Sequence, residues 1–252
     1  MSTFSHTQSE YNEWGENISN PNMWMDPDLF PYDDVSLIAR LIHAEDDSDV
    51  TNLGRAAVAQ ELHNRMRSWR FIHGSGLSFL DDPEYKYTWK GVIYPGDSYS
   101  PTNSPDTLAM SPDTNSAAWK QACDYAYLVV HSSIYLPKVI EDAPITNQCY
   151  HRGYSGRTSL MAALLEQYAN NVDEEGRHYA IDDNGKVRYN IVAAGESLFF
   201  NDFNSVDNEL YQVGLIPATG VGGENNTGIA TQTASDFIDF LKSRVGCGYV
   251  LG

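Results

Sequence analysis

Apolar residues recur at helical spacing from Asp33 onward. Val35, Ile38, Leu41 and Ile42 share one face, and Asp33 or Asp34 stands where an N-cap is needed. The pattern predicts a helix that ends in the acidic cluster at 46–49. A second helix is predicted over roughly 52–69, with Val58, Leu62, Met66 and Trp69 as its stripe and alanines at 56, 57 and 59 permitting close approach. A third, over about 116–134, carries Trp119, Ala122, Ala126 and Val130, and a fourth, over about 156–171, opens at Thr158 and Ser159. Between the second and third helices, residues 71–112 are rich in Gly, Pro, Ser, Asp and Tyr. That stretch is too long for a plain connector and reads as a folded functional loop region.

The period then changes. RHYAIDDNGKVRYNIV alternates apolar and polar residues on either side of Asp183-Asn184-Gly185, a turn sequence that accepts positive φ, so a β-hairpin is expected. The fold class is therefore α+β, mainly helical with a small antiparallel sheet. Residues 1–32 read as an N-terminal extension, of which Trp14, Trp24 and Met25 suggest that part packs on the body. Residues 33–215 form the main domain, 216–233 a Gly/Thr/Asn linker, and 234–252 a C-terminal helix.

Composition narrows the partners. The 252 residues are 42% apolar and 12% aromatic, enough for a substantial core. Lys+Arg 16 against Asp+Glu 34 gives a net charge of −18, which repels phosphate backbones and anionic membranes, so neither nucleic acid nor membrane is expected as a partner. No basic start with an apolar core marks a signal peptide, and no apolar run is long enough to span a bilayer. Three cysteines, Cys123, Cys149 and Cys247, form neither a disulfide framework nor a metal knuckle, and leave a Cys123–Cys149 bridge open.

The candidate chemistry starts at LIHAEDDSD. At about 100° per residue, Glu45 falls roughly 20° from Ile38 and between Leu41 and Ile42, in the middle of the apolar stripe. A carboxyl held there loses hydration, which favours its neutral form, the state a general acid needs. If the helix ended earlier, Glu45 would instead bend into solvent. Arg65 lies about 20° from Val58 on the second stripe, and a short turn makes the two helices antiparallel neighbours, so Arg65 pairs with Glu45, with Glu61 or with neither. Its expected role is structural, tying helix ends or loop carbonyls together. Other motifs fail: His43-Ala44-Glu45 lacks a companion PCxxC, no HExxH occurs, and a calcium loop counted from Asp47 has Val58 in place of its twelfth-position glutamate. No metal and no cofactor is expected.

IARLIHAEDDSDVTNLGRAAVAQELHNRMRS followed by WKGVIY resembles the SleB/CwlJ-type cell wall hydrolases, whose signature is a helix ending in an Ala-Glu step, an acidic or glycine turn, a GQ-AVA-V-LNR helix and GVI. The matching positions are Ala44-Glu45, Gly54, Ala57-Val58-Ala59, Asn64-Arg65 and Gly91-Val92-Ile93-Tyr94. NQCYHR resembles the family's YFHN strand and GESLFFND its closing strand, so the likeness spans roughly 33–202. It implies a lysozyme-like α+β domain that cleaves the glycan strand of peptidoglycan, with Glu45 as catalytic acid/base. This chain has one extra residue between Glu45 and Gly54, has Asp49 nearest the family's second acidic position, and has Glu196 or Ser197 where the family's closing strand has His.

A hydrolase wants a second carboxylate opposite the acid, whereas a lytic transglycosylase needs one, because the muramic acid hydroxyl attacks and closes an anhydro ring. Glu45 is the one well-placed carboxylate, which favours the transglycosylase, with Asp49 or Glu196 as candidates for a second group. Asn64, Tyr150 and His151 are candidates for binding the sugar. FLKSRVGCGYVLG resembles the start of an NlpC-type papain-like peptidase domain, which implies that the parent protein continues into a peptide-cleaving domain and that Cys247 precedes its nucleophile. Such a protein would act at the cell wall or outside the cell, delivered by other means or as a fragment of a larger protein. The alternative is a catalytically silent peptidoglycan-binding module.

Overall fold

The structure, a computed structural model, describes residues 5–46, 52–68, 85, 88–94, 99–134 and 136–202. Asp49, most of the loop region before residue 88, the 216–233 linker, the 234–252 helix and Cys247 lie outside the described residues.

Eight α-helices and one four-stranded antiparallel sheet are described, an α+β architecture. The helices are α1 (Gln8–Trp14), α2 (Asn22–Met25), α3 (Asp34–Glu45), α4 (Leu53–Arg67), α5 (Trp89–Ile93), α6 (Thr107–Met110), α7 (Ala117–His131) and α8 (Thr158–Asn170), with a 3-10 turn at Ser100–Asn103. The strands are β1 (Tyr150–Gly153), β2 (Tyr179–Ile181), β3 (Val187–Ala194) and β4 (Ser197–Asn201), in the order β1-β4-β3-β2.

The caps follow from sequence chemistry. Asp33 accepts the Ser36 amide at 2.7 Å to start α3, and Ser116 accepts the Trp119 amide at 3.1 Å to start α7. The expected hairpin forms between β2 and β3, with Gly185 at φ 74 in its turn. The region at 71–112 contributes short pieces of structure, including α5, where a Cβ on Gly91 would be driven into the carbonyl oxygen of Tyr85. Both NQCYHR and GESLFFND supply strands, and these pair directly, with His151 opposite Phe199.

The expected N-terminal extension is part of the body. Tyr11, Ile18 and Trp24 are buried in the main core, and Trp24 Nε1 donates to the Pro101 carbonyl at 2.6 Å. Arg40, buried in α3, donates to the carbonyls of Trp14, Glu16 and Ala109 and so fastens that segment and α6 to the helix. Apolar patterning marks the start of the domain at residue 33, whereas two of the main-chain acceptors of Arg40, on Trp14 and Glu16, lie before it.

The main core lies among α1–α7 and reaches the sheet through Ala194 and Phe199. A second, smaller core of Tyr154, Leu164, Ala180, Ile191, Leu198 and Phe200 joins the opposite sheet face to α8. Alternation along β4 thus sends Phe199 to the helical body and Leu198 and Phe200 to α8.

The central helix is α4, and every residue from Gly54 to Arg67 is buried. Several of its polar side chains nevertheless find partners, as burial requires, while His63 Nδ1 makes no hydrogen bond among the described residues. Gln60 accepts the Val139 and Ile140 amides at 2.9 and 3.1 Å, His63 Nε2 contacts the Leu136 carbonyl at 2.8 Å, Asn64 donates to the Gln148 carbonyl at 2.8 Å, and Arg65 Nε donates to the Cys149 carbonyl at 2.7 Å. One polar face of α4 therefore moulds the loop at 136–149 and sets where β1 begins.

Candidate active site

That placement of β1 decides the site. Arg65 and Asn64 hold the backbone at 148 and 149, so the second residue of the strand, His151, is delivered beneath α3 and α4. Its ring stacks on Phe199, with centroids 5.2 Å apart, and stands between two carboxylates. Nδ1 lies 2.5 Å from Glu61 Oε2 on α4, and Nε2 lies 3.1 Å from Glu45 Oε2 at the last residue of α3.

Glu61 is closed off. Its side chain is 0% exposed; Oε1 takes the Arg65 guanidinium at 2.6 Å and the Tyr99 hydroxyl at 3.4 Å, and Oε2 takes His151. Burial opposes its charge, but His151 and Arg65 outweigh that and hold the carboxyl below its ordinary range. Burial likewise opposes a charge on His151. The Glu61 charge and the hydrogen bonds and charge of Glu45 overcome it and raise the imidazole to about 10. Tyr99 lies under the Arg65 guanidinium, 4.1 Å from its carbon to the ring centroid, and burial pushes its hydroxyl well above the ordinary value.

Glu45 differs from Glu61 in access. It retains 12% of its side-chain exposure against 0% for Glu61. The Glu45 side chain keeps part of its surface exposed, whereas Glu61 has protein partners on both oxygens. The chain thus presents one reachable carboxylate backed by a histidine, a buried carboxylate and a buried guanidinium, in the order Glu45, His151, Glu61, Arg65.

Several sequence expectations sort themselves here. The three alternatives for Arg65 resolve to Glu61, and its structural role extends to the Cys149 carbonyl. Glu45 and His151 come together. Tyr150 has a different environment: neighbouring strand residues point to opposite faces, and Tyr150 stacks on Phe200 at the α8 side, with the Arg65 guanidinium carbon 5.7 Å from its ring centroid. Asn64 is corrected from sugar binding to scaffold, because its amide is buried between Gln60 and the Gln148 carbonyl. Glu196 is exposed in the β3–β4 turn, where its carbonyl accepts the Tyr154 amide, and no contact joins it to Glu45 among the described residues. Cys123 and Cys149 are both buried free thiols, so the bridge left open by the sequence is not formed.

Two site residues, Glu61 and Tyr99, escape pattern reading. Glu61 carries one usable signal, its i,i+4 spacing to Arg65 on a helix that has an arginine on its apolar stripe. Tyr99 carries none, since it stands among other tyrosines in the Pro- and Ser-rich loop region. Among the described residues, no group of three or more His, Cys, Asp or Glu could hold a metal ion, and no helix is long and apolar enough to cross a membrane. Comparison with protein-family models, curated proteins and solved structures finds no match to this chain.

Proposed function

We propose that the protein cleaves the glycan strand of peptidoglycan, with Glu45 as general acid and base. The observation that carries this reading is the asymmetry of the two carboxylates on His151: Glu45 is reachable and Glu61 is not. Acid catalysis at a glycosidic oxygen needs a carboxyl that exchanges a proton with substrate, and Glu45 has both the access and a proton-bearing neighbour. The Ala-Glu step, the Asn64-Arg65 pair and the two paired strands of the SleB/CwlJ-type resemblance support the same assignment.

The reaction class is proposed from the carboxylates among the described residues, which do not include the candidate second group Asp49. A retaining hydrolase places a nucleophilic carboxylate about 5 Å from the acid, and an inverting one a base at about 6.5–9.5 Å. Glu61 is unfit for either task, because attack or water activation needs a free oxygen lone pair facing substrate. The favoured reaction is lytic transglycosylation. Glu45 protonates the oxygen leaving C1 of the muramoyl residue, the C1–O bond breaks, and the muramoyl C6 hydroxyl closes on C1 as Glu45 takes back a proton.

The test is digestion of purified peptidoglycan followed by mass spectrometry. Wild-type protein is expected to release anhydromuramoyl fragments, and Glu45→Gln to release none while keeping its far-ultraviolet circular dichroism. Release by folded E45Q refutes the role of Glu45. Sedimentation with peptidoglycan but no release by wild type assigns a binding module instead.

A further inference from the structure

Glycosidic cleavage by one carboxyl leaves a question of supply: which group next to Glu45 holds the proton that goes to the leaving oxygen? We propose that His151 is a positioning residue that stores this proton, and that Glu61 makes the store work by holding the opposite ring nitrogen. The inference rests on the proposed role of Glu45 and deepens it.

The geometry supplies the argument. A histidine with a carboxylate on each nitrogen satisfies both contacts only if the ring donates from both sides, or if one carboxyl is itself protonated. Glu61 cannot be the protonated partner, because Oε1 already receives Arg65 and its charge is held by two cations. The Nδ1 proton is therefore fixed on the Glu61 side at 2.5 Å. The remaining proton is shared between His151 Nε2 and Glu45 Oε2, 3.1 Å apart, and belongs to the pair.

The groups facing His151 are Glu45 from α3, Glu61 and Arg65 from α4 and the Tyr99 ring at 6.0 Å, while β4 contributes the apolar face of Phe199. With Arg65 positive, Glu61 negative and the His151–Glu45 pair carrying one extra proton, the buried group is neutral overall. Delivery proceeds as Nε2–H passes its proton to Glu45 Oε2 and Glu45 passes a proton to the leaving oxygen. Neutral His151 then presents a bare Nε2 towards Glu45. The muramoyl C6 hydroxyl loses its proton to Glu45 as the C1–O6 bond forms, and Nε2 recovers it, so the cycle closes without net uptake. Keeping Nδ1–H on Glu61 throughout prevents the ring from taking the wrong tautomer, which would leave Nε2 unable to accept the proton back.

Two measurements on the full chain test this. The first follows ring nitrogen resonances of the histidine-labelled wild type from pH 6 to pH 8, with His151→Gln identifying the His151 signals. The His151–Glu45 pair is expected to keep its proton across that range. A His151 titration with a midpoint near the ordinary 6.5 overturns the proposal, whatever the activity. The second compares pH profiles of fragment release by wild type and Glu61→Gln. Without Glu61, Glu45 still supports and burial still opposes a charge on His151; where the two offset and the histidine returns to its ordinary value, it keeps its proton on about one molecule in thirty at pH 8. Release by E61Q is then expected to fall about thirtyfold between acid pH and pH 8, on the alkaline side only. A uniform loss at all pH values marks Glu61 as structural and overturns the store. Should E61Q fail to fold, the wild-type titration decides alone. A wild type that holds the proton yet releases no glycan fragments refutes wall cleavage and leaves the proton sharing standing.

Discussion

Replacing Glu61 by glutamine removes one charge from a group with no access to water and should be among the most damaging isosteric changes in the protein. Glu61 is 0% exposed and its partner Arg65 is 3% exposed, 2.6 Å away. In the variant the guanidinium keeps its Cys149 carbonyl and its place over Tyr99, but its counter-charge is gone, and His151 loses the same partner. Breaking a buried ion pair from one side costs about 3–5 kcal/mol, because the surviving charge stays desolvated. Since a domain is stable by only about 5–15 kcal/mol, E61Q should unfold at clearly lower denaturant.

A double-mutant cycle with Arg65→Met isolates the pair, read by guanidinium chloride unfolding at neutral pH with the slope of the transition checked for constancy. R65M alone should cost less than E61Q alone, since His151 still faces Glu61 at 2.5 Å. The double variant should be no less stable than E61Q, because the stranded guanidinium has been removed. Single effects that simply add, or an E61Q loss under about 1 kcal/mol, would show that the pair is solvated and that Glu61 is not the closed group described above.

Two further outcomes follow from other parts of the molecule. His151 is raised above its ordinary value, so its contribution to stability is fully present below pH 6.5 and is lost as pH rises through about 10; the difference in unfolding free energy between wild type and H151Q, measured across that span, should shrink with rising pH, and a constant difference would refute the charged state. Trp24→Ala removes a side chain that is 0% exposed and donates to Pro101, which should lower stability by about 3–5 kcal/mol in thermal or chemical unfolding; a loss under about 1 kcal/mol would return residues 1–32 to the status of an appended arm.

Much of the helical architecture is legible from spacing alone, and the reason is physical. Helix α7 buries one face, so the 3.6-residue period survives in its sequence, whereas α3, buried at every position from Val35 to His43, is legible through its Asp33 cap and the apolar residues at 35, 38, 41 and 42. The β2–β3 hairpin is legible because only Gly or a few small polar residues accept the backbone of its turn. Helix α4 is legible as a helix but not as an environment. It is buried on all sides, so its stripe of Val58, Leu62 and Met66 does not separate inside from outside. Asn64 offers a sugar-binding amide in sequence, but the loop at 136–149 that occupies it is more than 70 residues away along the chain.

Glu61 shows where local reading stops and why. A glutamate in a buried helix is costly until its partners are known, and each of them sits in a different part of the chain: Arg65 one turn on, Tyr99 in the loop region, His151 at the second position of a strand 90 residues away. On helical phase alone, Glu45 is a carboxyl whose only neighbours are the apolar residues of its own stripe. The structure gives it a histidine, and gives the histidine a second, sealed carboxylate. This changes the physical basis of the site: the surroundings of Glu45 are set by a three-element contact of α3, α4 and β1 and not by the phase of one helix. Any change that moves β1 relative to α4, including loss of the Asn64 or Arg65 hold on residues 148 and 149, should therefore act on the chemistry at Glu45 without touching it.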